Sequence, residues 1–312
     1  MDLPLAVTLL HCPRDAGELA PAGDGLECRT CGVTYPVADG VVSFLSPDDL
    51  SAQDRREQAS RDTESGWYDS MFEGYTNAVE VPTCLARLGR PSGPILDHGA
   101  GTGRIASALL HLGRPVVAVD YSGASLRRLM SRCAGGPAPV LAVQADLRRL
   151  PVRAGVISAS TSIEVYEHFR AGDRRALLAE LARVMAPGAV LAISTLSYNL
   201  VYRAWAALGN GAAKEGEHLL GGHFYYMRLT QQEFREELEA VFEVEELTGI
   251  RNVPARTIAG LVRRVGSEGA GDRFLSFMVE RGHKVDVALE RTPLAGLLGF
   301  FWLAKAVRRP GP

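Results

Sequence analysis

The stretch Ile95-Leu-Asp-His-Gly-Ala-Gly-Thr-Gly-Arg104 decides the fold of this chain. Apolar residues run into an acid, Asp97, and glycines then follow at alternate positions, Gly99, Gly101 and Gly103. Glycine adopts positive φ freely and lets a ligand approach the main chain closely. The residues that follow are compatible with a helix. The glycines are therefore predicted to join a strand to a helix N-terminus, where a nucleotide-type ligand can bind.

The glycine spacing distinguishes between kinds of nucleotide ligand. A dinucleotide-binding loop needs G-x-G-x-x-G. Here the third glycine comes one position early, and Arg104 occupies the place of the glycine in that pattern. The stretch instead resembles motif I, D-x-G-x-G-x-G, of the class I S-adenosylmethionine (SAM)-dependent methyltransferases. This resemblance implies an α/β Rossmann-like sheet of seven strands in the order 3-2-1-4-5-7-6. It also implies that the loop contacts the cofactor through Asp97, Gly99, Ala100, Gly101 and Gly103.

Two further acids follow predicted parallel strands. Pro115–Asp120 and Val140–Asp146 are short, apolar and rich in β-branched residues, which is typical of buried strands. In the resembled family, an acid at the position of Asp120, followed here by Tyr121, accepts hydrogen bonds from the ribose. The family acid at the position of Asp146, with the amide of Leu147, contacts the adenine. The alternative is that both acids are helix caps or turn residues.

Further strands and helices complete the predicted domain. A tyrosine in an amino-terminal helix covers the methionine end of SAM in the resembled family, which makes Tyr68 and Tyr75 candidates, and Thr161 ends the fourth strand beside the cofactor. The remaining predicted strands are Gly155–Thr161, Ala189–Thr195, Val241–Leu247 and Gly299–Arg308, and the predicted helices include Ala176–Met185 and Thr230–Ala240.

The segment Glu164-Val-Tyr-Glu-His168 follows the fourth strand, on the side where methyl transfer takes place in this fold. It resembles the Glu-Val-x-Glu-His segment of the quinone-biosynthesis O-methyltransferases. That resemblance implies that Glu164, Glu167 and His168 help hold a divalent cation such as Mg²⁺. A neutral His168 also suits a general base. The alternative is that this segment only caps and packs the next helix.

The acceptor is expected to bind under an aromatic cap, residues 196–227, which contains a second candidate base, His223. Aromatic side chains in such a cap suit an apolar or planar substrate. A helical insert at 251–297 is expected either to enlarge the acceptor pocket or to form a homodimer surface.

The amino-terminal residues 1–48 form a second predicted module. Cys12, Asp15, Cys28 and Cys31 have nearly the spacing of the paired C-x-x-C turns of a zinc ribbon. The module resembles the Trm112-like zinc ribbons, except that Asp15 replaces the second cysteine. A carboxylate can bind zinc, so Asp15 can be the fourth ligand. His11 is an alternative fourth ligand. A third possibility is a ribbon that binds no metal and keeps its fold through its small core. Residues 49–66 are predicted to be a linker, and residues 67–312 the methyltransferase domain.

The composition excludes several functional classes. With a formal net charge of −2, the chain has no strong basic field for nucleic acid. The start of the sequence lacks a secretory signal, and the apolar run 292–307 is too short to span a membrane, so a cytoplasmic location without membrane contact is expected. The sequence predicts transfer of a methyl group to an O or C nucleophile of a small aromatic or apolar metabolite. Two alternatives are an rRNA guanine N-methyltransferase and a non-catalytic partner-binding protein that keeps the SAM fold.

Overall fold

The computed structural model describes residues 1–45, 52–66, 74–208, 213–217, 225–252 and 269–310. In this part of the chain the central element is an eleven-stranded sheet of order β1-β2-β3-β4-β7-β6-β5-β8-β9-β13-β12. Its strands are β1 (Leu19–Ala22), β2 (Gly25–Cys28), β3 (Thr34–Ala38), β4 (Val41–Ser43), β5 (Ile95–His98), β6 (Val116–Asp120), β7 (Val140–Gln144), β8 (Ile157–Ser162), β9 (Met185–Leu196), β12 (Phe242–Ile250) and β13 (Phe301–Arg308). A separate antiparallel pair is formed by β10 (Glu215–Gly216) and β11 (Tyr226–Met227).

Helices cover both faces of the sheet. They are α1 (Leu3–Leu9), α2 (Ala52–Glu64), α3 (Tyr75–Leu88), α4 (Arg104–Leu109), α5 (Gly123–Cys133), α6 (Ala171–Val184), α7 (Leu200–Ala207), α8 (Gln231–Glu239), α9 (Ala270–Glu290) and α10 (Ala295–Leu298). Short 3₁₀ turns follow at Leu110–Leu112 and Tyr166–His168. Of the helices in the described ranges, none is long and apolar enough to cross a membrane.

The predicted methyltransferase sheet is confirmed. The strands β7-β6-β5-β8-β9-β13-β12 reproduce the order 3-2-1-4-5-7-6, with β5 to β9 parallel and β13 antiparallel to both of its neighbours. Alternate residues of each inner strand enter different cores: Val117 faces one buried cluster and Val116 the other. Because both faces are covered, β6 and β7 are apolar up to their last residues, whereas β8 also carries buried Ser and Thr. The carboxyl ends of the parallel strands therefore meet at one edge of the sheet.

The region between α6 and β9 differs from the prediction at two boundaries. Residues 176–185 were predicted to be a helix ended by Ala186-Pro-Gly188, and α6 runs over Ala171–Val184, so it begins five residues earlier than predicted and ends within one residue of the predicted position. β9 begins at Met185 instead of Ala189, since Met185 has extended backbone angles and pairs with Ile157, and the register between β8 and β9 shifts after this pair. Pro187 and Gly188 therefore lie within an irregular strand start, where no interior ladder hydrogen bond is lost.

The amino-terminal strands continue the methyltransferase sheet. β4 pairs in parallel with β7, and the backbone N–H of Phe44 donates to the carbonyl of Gln144 at 2.8 Å. The apolar residues Leu26, Tyr35 and Val42 belong to the same buried cluster as the inner strands. This cluster joins the ribbon to the edge strand that precedes Asp146. The division at residue 48 stays a prediction.

Other predicted segments are described in part. Residues 49–66, expected to be a linker, contain the helix α2. Of the cap at 196–227 the structure describes α7, β10 and β11, and His223 lies outside the described residues. Of the insert at 251–297 it describes α9 and α10, and α9 packs against α3.

The join between ribbon and sheet generates a stability prediction. Val42 is fully buried in β4. Val42→Ala should lower the free energy of unfolding by about 2 kcal/mol, from about 0.8 kcal/mol for each buried methyl-sized group and a cavity contribution. Val201→Ala, at an exposed position on α7, should change it by less than about 0.5 kcal/mol. Chemical denaturation followed by far-UV circular dichroism measures both, and an equal effect of the two variants would contradict a shared core.

Candidate functional site

The glycine loop between β5 and α4 adopts a backbone that requires glycine. Gly99, Gly101 and Gly103 all have left-handed φ values, 78°, 51° and 85°. A Cβ on Gly99 would lie 2.3 Å from the Val165 side chain, and one on Gly103 would lie 2.7 Å from Leu129. The loop is thus limited to glycine by conformation at all three positions and by close packing at two of them. Its N–H groups lie at the start of α4, at the cofactor edge of the sheet.

Asp97 is a buried acid with one free oxygen. Thr161 donates to its Oδ1 at 2.7 Å, whereas Oδ2 has no hydrogen-bond partner among the described residues. Burial raises the pKa of Asp97 to about 6. A buried carboxylate with an unused oxygen is costly unless a ligand completes it. Asp97 lines a small cavity together with Gly99, Gly101 and Ile163.

Asp120 ties the glycine loop to the next strand. Its Oδ2 accepts from the N–H of Gly101 and its Oδ1 from the N–H of Ser122, both at 2.8 Å. Burial raises its pKa, and these two hydrogen bonds oppose the shift. A carboxylate offers about four acceptor positions, so two remain for a ligand. The carbonyl of Tyr121 accepts from the side chain of Gln144 at 3.1 Å, which fixes the turn after Asp120.

Asp146 has a strong protein partner. Arg148 donates to both of its carboxylate oxygens, with 2.9 Å from Nε to Oδ1 and 2.7 Å from Nη2 to Oδ2. The N–H of Arg148 also bonds to Oδ1, as in a turn. The carbonyl of Leu147 accepts from Nε2 of the buried His98 at 3.2 Å. These contacts match the turn-residue alternative for Asp146, and its contact with adenine stays a prediction.

Helix α2 reaches the same edge, which the sequence did not indicate. Asp62 accepts from the Ser122 hydroxyl at 2.5 Å and from the N–H of Ala124 at 3.2 Å. Gln58 donates to the carbonyl of Tyr121 at 3.4 Å. The charged segment before the methyltransferase domain thus caps α5 and braces the turn that carries Asp120. Because α2 is strongly polar, its sequence shows no apolar pattern that would predict this contact.

After β8, Glu167 is buried and His168 is half-buried. Nδ1 of His168 donates to the carbonyl of Tyr225 at 2.8 Å, and burial lowers the pKa of His168 to about 3. Burial raises the pKa of Glu167 to about 8, and its Oε2 has no partner in the described ranges. His168 is therefore a neutral imidazole at physiological pH, while Glu167 changes charge near that pH.

The predicted divalent-cation cluster does not form. In the part of the chain that the structure describes, the only group of three or more His, Cys, Asp or Glu ligand atoms within 4.8 Å of one another is in the ribbon. Glu164 is instead bound to Arg251, from Nη1 to Oε1 at 2.8 Å. Because Glu164 serves as an arginine partner, it is not brought together with Glu167 and His168 around one ion.

A buried charge network, which the sequence analysis did not find, lies behind the glycine loop. Nη1 of Arg104 donates to Glu80 at 2.6 Å, and Nη1 of Arg251 donates to Glu80 at 3.0 Å and to Glu164. Burial would raise the pKa of Glu80, but the two guanidinium charges outweigh it and lower the pKa. Burial and the charge of Glu80 raise the pKa of Glu164. Four distant segments supply these residues, so no local spacing marks them.

Glu164 and Arg251 also share an unusual backbone. Their φ values are 59° and 55°, in the left-handed region that side chains with a Cβ rarely adopt. They end β8 and β12 at the same edge and bond to each other. Strain of this kind persists where surrounding contacts enforce it, and it concentrates at functional sites.

The ribbon residues converge as predicted. Sγ of Cys12 and Sγ of Cys31 are 3.7 Å apart, and Sγ of Cys28 is 3.4 Å from Oδ1 of Asp15. Two thiolates on a tetrahedral zinc, with Zn–S bonds of about 2.3 Å, lie about 3.8 Å apart. The four donors therefore have the separations of a zinc site, with Asp15 in the fourth place. His11 is not part of this group.

Three predicted site residues cannot be assigned contacts. Tyr68 lies outside the described residues, as does His223. Tyr75 begins α3, but its side chain is not described. Their assigned roles stay predictions.

Comparison with known proteins finds methyltransferases, which agrees with the glycine loop and acids described at this edge of the sheet. Residues 95–188, which run from β5 to the start of β9, match the family profile described as a methyltransferase domain. This part of the chain is therefore similar to methyltransferase domains. An uncharacterized methyltransferase of Bacillus subtilis is 36% identical over 101 residues, 32% of this chain and 42% of the relative. A ubiquinone biosynthesis O-methyltransferase of Xanthomonas campestris is 29% identical over 202 residues, 60% of this chain and 78% of the relative. The chain thus spans less than half of the Bacillus subtilis relative.

A solved structure supports the fold of most of the chain. It is the complex between the Haloferax volcanii Trm112 methyltransferase activator and the putative methyltransferase. The TM-score is 0.54 at 17% identity, covering 82% of this chain and 98% of the matched chain. At 17% identity the likeness concerns the fold alone, and that fold has the strand order described above.

The buried network generates a prediction for Glu80. Glu80→Gln removes the carboxylate that Arg104 and Arg251 share and leaves two buried cations with weaker partners. The variant should lose about 3 kcal/mol of unfolding free energy. Glu246→Gln, whose side chain is 55% exposed beside Arg87, should lose less than about 1 kcal/mol. Denaturation of both variants at pH 7 measures the difference, and similar losses would show that the network is not structural.

Proposed function

We propose that the protein transfers a methyl group from SAM to an O or C nucleophile of a small, aromatic or apolar metabolite. The observation that carries this is the buried Asp97, with its unused Oδ2, in front of three left-handed glycines at the carboxyl edge of the sheet. A cationic ammonium group is the complement of such an oxygen, and the glycine loop admits a ligand against its main chain. SAM carries both an ammonium group and an activated methyl.

The residues present fit the cofactor at several points. Asp97 is assigned to the ammonium group, and Asp120 to the ribose hydroxyls through its remaining acceptor positions. Leu147 and Asp146 are assigned to the adenine, with Arg148 as a competing partner of Asp146. When bound, SAM supplies a methyl on a positive sulfur. The task of the protein is then to place the nucleophile in line and remove its proton.

For proton removal, Glu167 suits the reaction better than His168. A general base works best when its pKa is near the working pH. The pKa of Glu167 is raised to about 8, whereas that of His168 is lowered to about 3. His168 instead holds Tyr225, and so positions the cap strand β11. His223 stays an alternative base.

The ribbon is proposed to bind one structural Zn²⁺ through Cys12, Asp15, Cys28 and Cys31. The Trm112 activator in the Haloferax volcanii complex is a separate protein. In this chain β4 of the ribbon lies directly against β7. The ribbon would therefore stabilise β7, the strand of the same chain that leads to the residues assigned to the adenine. A homodimer through the helical insert also stays a proposal.

The cofactor assignment predicts a pH-dependent affinity. In the protein without SAM the pKa of Asp97 is about 6, and only the ionised form complements an ammonium group. Calorimetry should show that the affinity for SAM is constant above pH 7 and weakens by up to about tenfold per pH unit below 6. Asp97→Asn should bind at least about tenfold more weakly at pH 7.5 and lose this pH dependence. Asp24→Asn, at an exposed turn, should behave as wild type, and a wild-type protein that does not bind SAM would overturn the proposed function.

The same variant separates binding from stability. Because the folded-state pKa of Asp97 is raised, Asp97 destabilises the fold above its folded pKa, and this effect disappears below the unfolded value of 3.8. Asp97→Asn should thus raise the thermal midpoint at pH 7 but not at pH 4 in the absence of SAM. A lower midpoint at pH 7 would show that the weaker binding reflects damage to the fold.

The zinc proposal is tested by metal content. Elemental analysis of purified protein should find one zinc per chain, and Cys28→Ser should lose it together with several degrees of thermal stability, because zinc binding is coupled to folding. Asp15→Cys restores a four-thiolate site and should keep the metal. Cys133→Ser, outside the ribbon, is the matched control. Absence of zinc in protein purified without chelators would contradict the site.

A further inference from the structure

Arg228 lies at the carboxyl edge of the sheet, beside the end of β9. The N–H of Leu229 donates to the carbonyl of Leu196 at 3.0 Å, and the N–H of Tyr198 donates to the carbonyl of Leu229 at 2.7 Å. These bonds hold the segment after β11 against the strand end. Arg228 is therefore on the same edge as the glycine loop, on the side assigned above to the methyl acceptor.

The guanidinium of Arg228 is surrounded by aromatic rings instead of acids. Its Cζ lies 4.2 Å from the ring centre of Tyr202, 5.5 Å from that of Phe300 and 5.9 Å from that of Tyr226. The residue is 7% exposed. Its side chain hydrogen-bonds to the carbonyl of Ser197, at 3.4 Å, and to the hydroxyl of Tyr202. No carboxylate in the described ranges lies within 4.0 Å of it.

Another buried arginine shows how this fold pairs such a charge. Arg174 is 2% exposed and donates to both oxygens of Glu237 at 2.8 Å, and to the carbonyl of Phe169 at 2.9 Å. A guanidinium has five N–H donors, and an ionised group removed from water is costly unless it is paired. Stacking on aromatic rings supplies only part of what an ion pair supplies. Among the described residues Arg228 thus lacks the direct carboxylate contact that Arg174 has, and the charge of Arg228 only opposes the raised pKa of the buried Glu167.

A second guanidinium lies near the same rings. Cζ of Arg251 is 5.1 Å from the ring centres of both Phe300 and Phe301. Its bonds to Glu80 and Glu164 use Nη1 alone, which leaves Nε and Nη2 without partners among the residues described. Arg228 and Arg251 therefore flank the Phe300 ring.

Tyr202 completes the arrangement. Its ring packs edge-on against Phe300, with centres 5.9 Å apart. Burial raises the pKa of the Tyr202 hydroxyl, and the charges of Arg228 and Arg251 oppose the shift. Both guanidinium groups thus act on one phenol, which stays protonated and can donate a hydrogen bond.

We propose that Arg228, Arg251 and Tyr202 bind an acidic group, a carboxylate or a phosphate, on the body of an aromatic or apolar methyl acceptor. This rests on the proposed function, because it places the acceptor at the edge where the methyl group is delivered. Planar guanidinium groups suit the paired oxygens of such an anion. The rings of Tyr202 and Phe300 suit the apolar body that carries it.

The test compares probes that differ in charge but not in shape. Benzoate, phenyl phosphate and the neutral benzamide are titrated by calorimetry into protein saturated with S-adenosylhomocysteine. An anion should bind at least about tenfold more tightly than benzamide. Tighter binding of benzoate identifies a carboxylate, and tighter binding of phenyl phosphate identifies a phosphate. Equal affinity for all three probes would overturn the proposal.

Variants assign the effect to the arginine. Arg228→Met should remove the preference for the anion while keeping the affinity for S-adenosylhomocysteine. Its thermal midpoint without probe should equal or exceed that of wild type, because a buried unpaired charge is lost, and benzoate should no longer raise it. Arg235→Gln, an exposed arginine on α8, changes the net charge equally and should keep the preference. An anion preference that survives Arg228→Met would contradict the site.

Two further readouts keep the result interpretable. If Arg228→Met does not fold, Arg228→Lys and Tyr202→Phe replace it, and each should weaken anion binding by at least about threefold. If wild-type protein does not bind S-adenosylhomocysteine, the proposed function fails, and the probes are then titrated into the protein alone. Anion binding there would support the site independently, and its absence would overturn it.

Discussion

The hydrogen bond from the Gly101 amide to Asp120 is the contact on which the cofactor edge depends. It joins the glycine loop after β5 to the end of β6. Since Asp120 is half-buried, its carboxylate gains from such donors, and the left-handed glycines are what allow the amide to point at it. The loop, the strand end and the start of α5 are thereby held as one unit.

Contacts from outside the domain reinforce this unit. Asp62 of α2 caps α5, and β4 of the ribbon pairs with β7, whose end leads to Asp146. The amino-terminal fifth of the chain therefore acts on the edge where the cofactor is assigned. An edge strand left unpaired exposes its backbone groups. Covering β7 with β4 removes that exposure and fixes the position of the residues that follow.

The sequence predicted the sheet order and the loop because both depend on local patterns, apolar strand runs and glycines at alternate positions. It also predicted the ribbon donors Cys12 and Asp15, since knuckle spacing is local. It did not predict the partners of the buried charges. Glu80 and Arg251 meet across 171 positions, and nothing near either residue in the chain reveals the other. For the same reason it did not predict that Glu164 pairs with Arg251.

The buried charges divide into two sets with different consequences. Arg104 and Arg251 share Glu80, so their charges are largely balanced within the protein. Arg228 is balanced by rings and one distant carbonyl. In the described part of the chain the other buried arginines contact acids directly, whereas Arg228, on the acceptor side, does not. Rings hold its charge in place and leave its donors available, whereas an acid in contact with them would compete with an anionic ligand for the same donors.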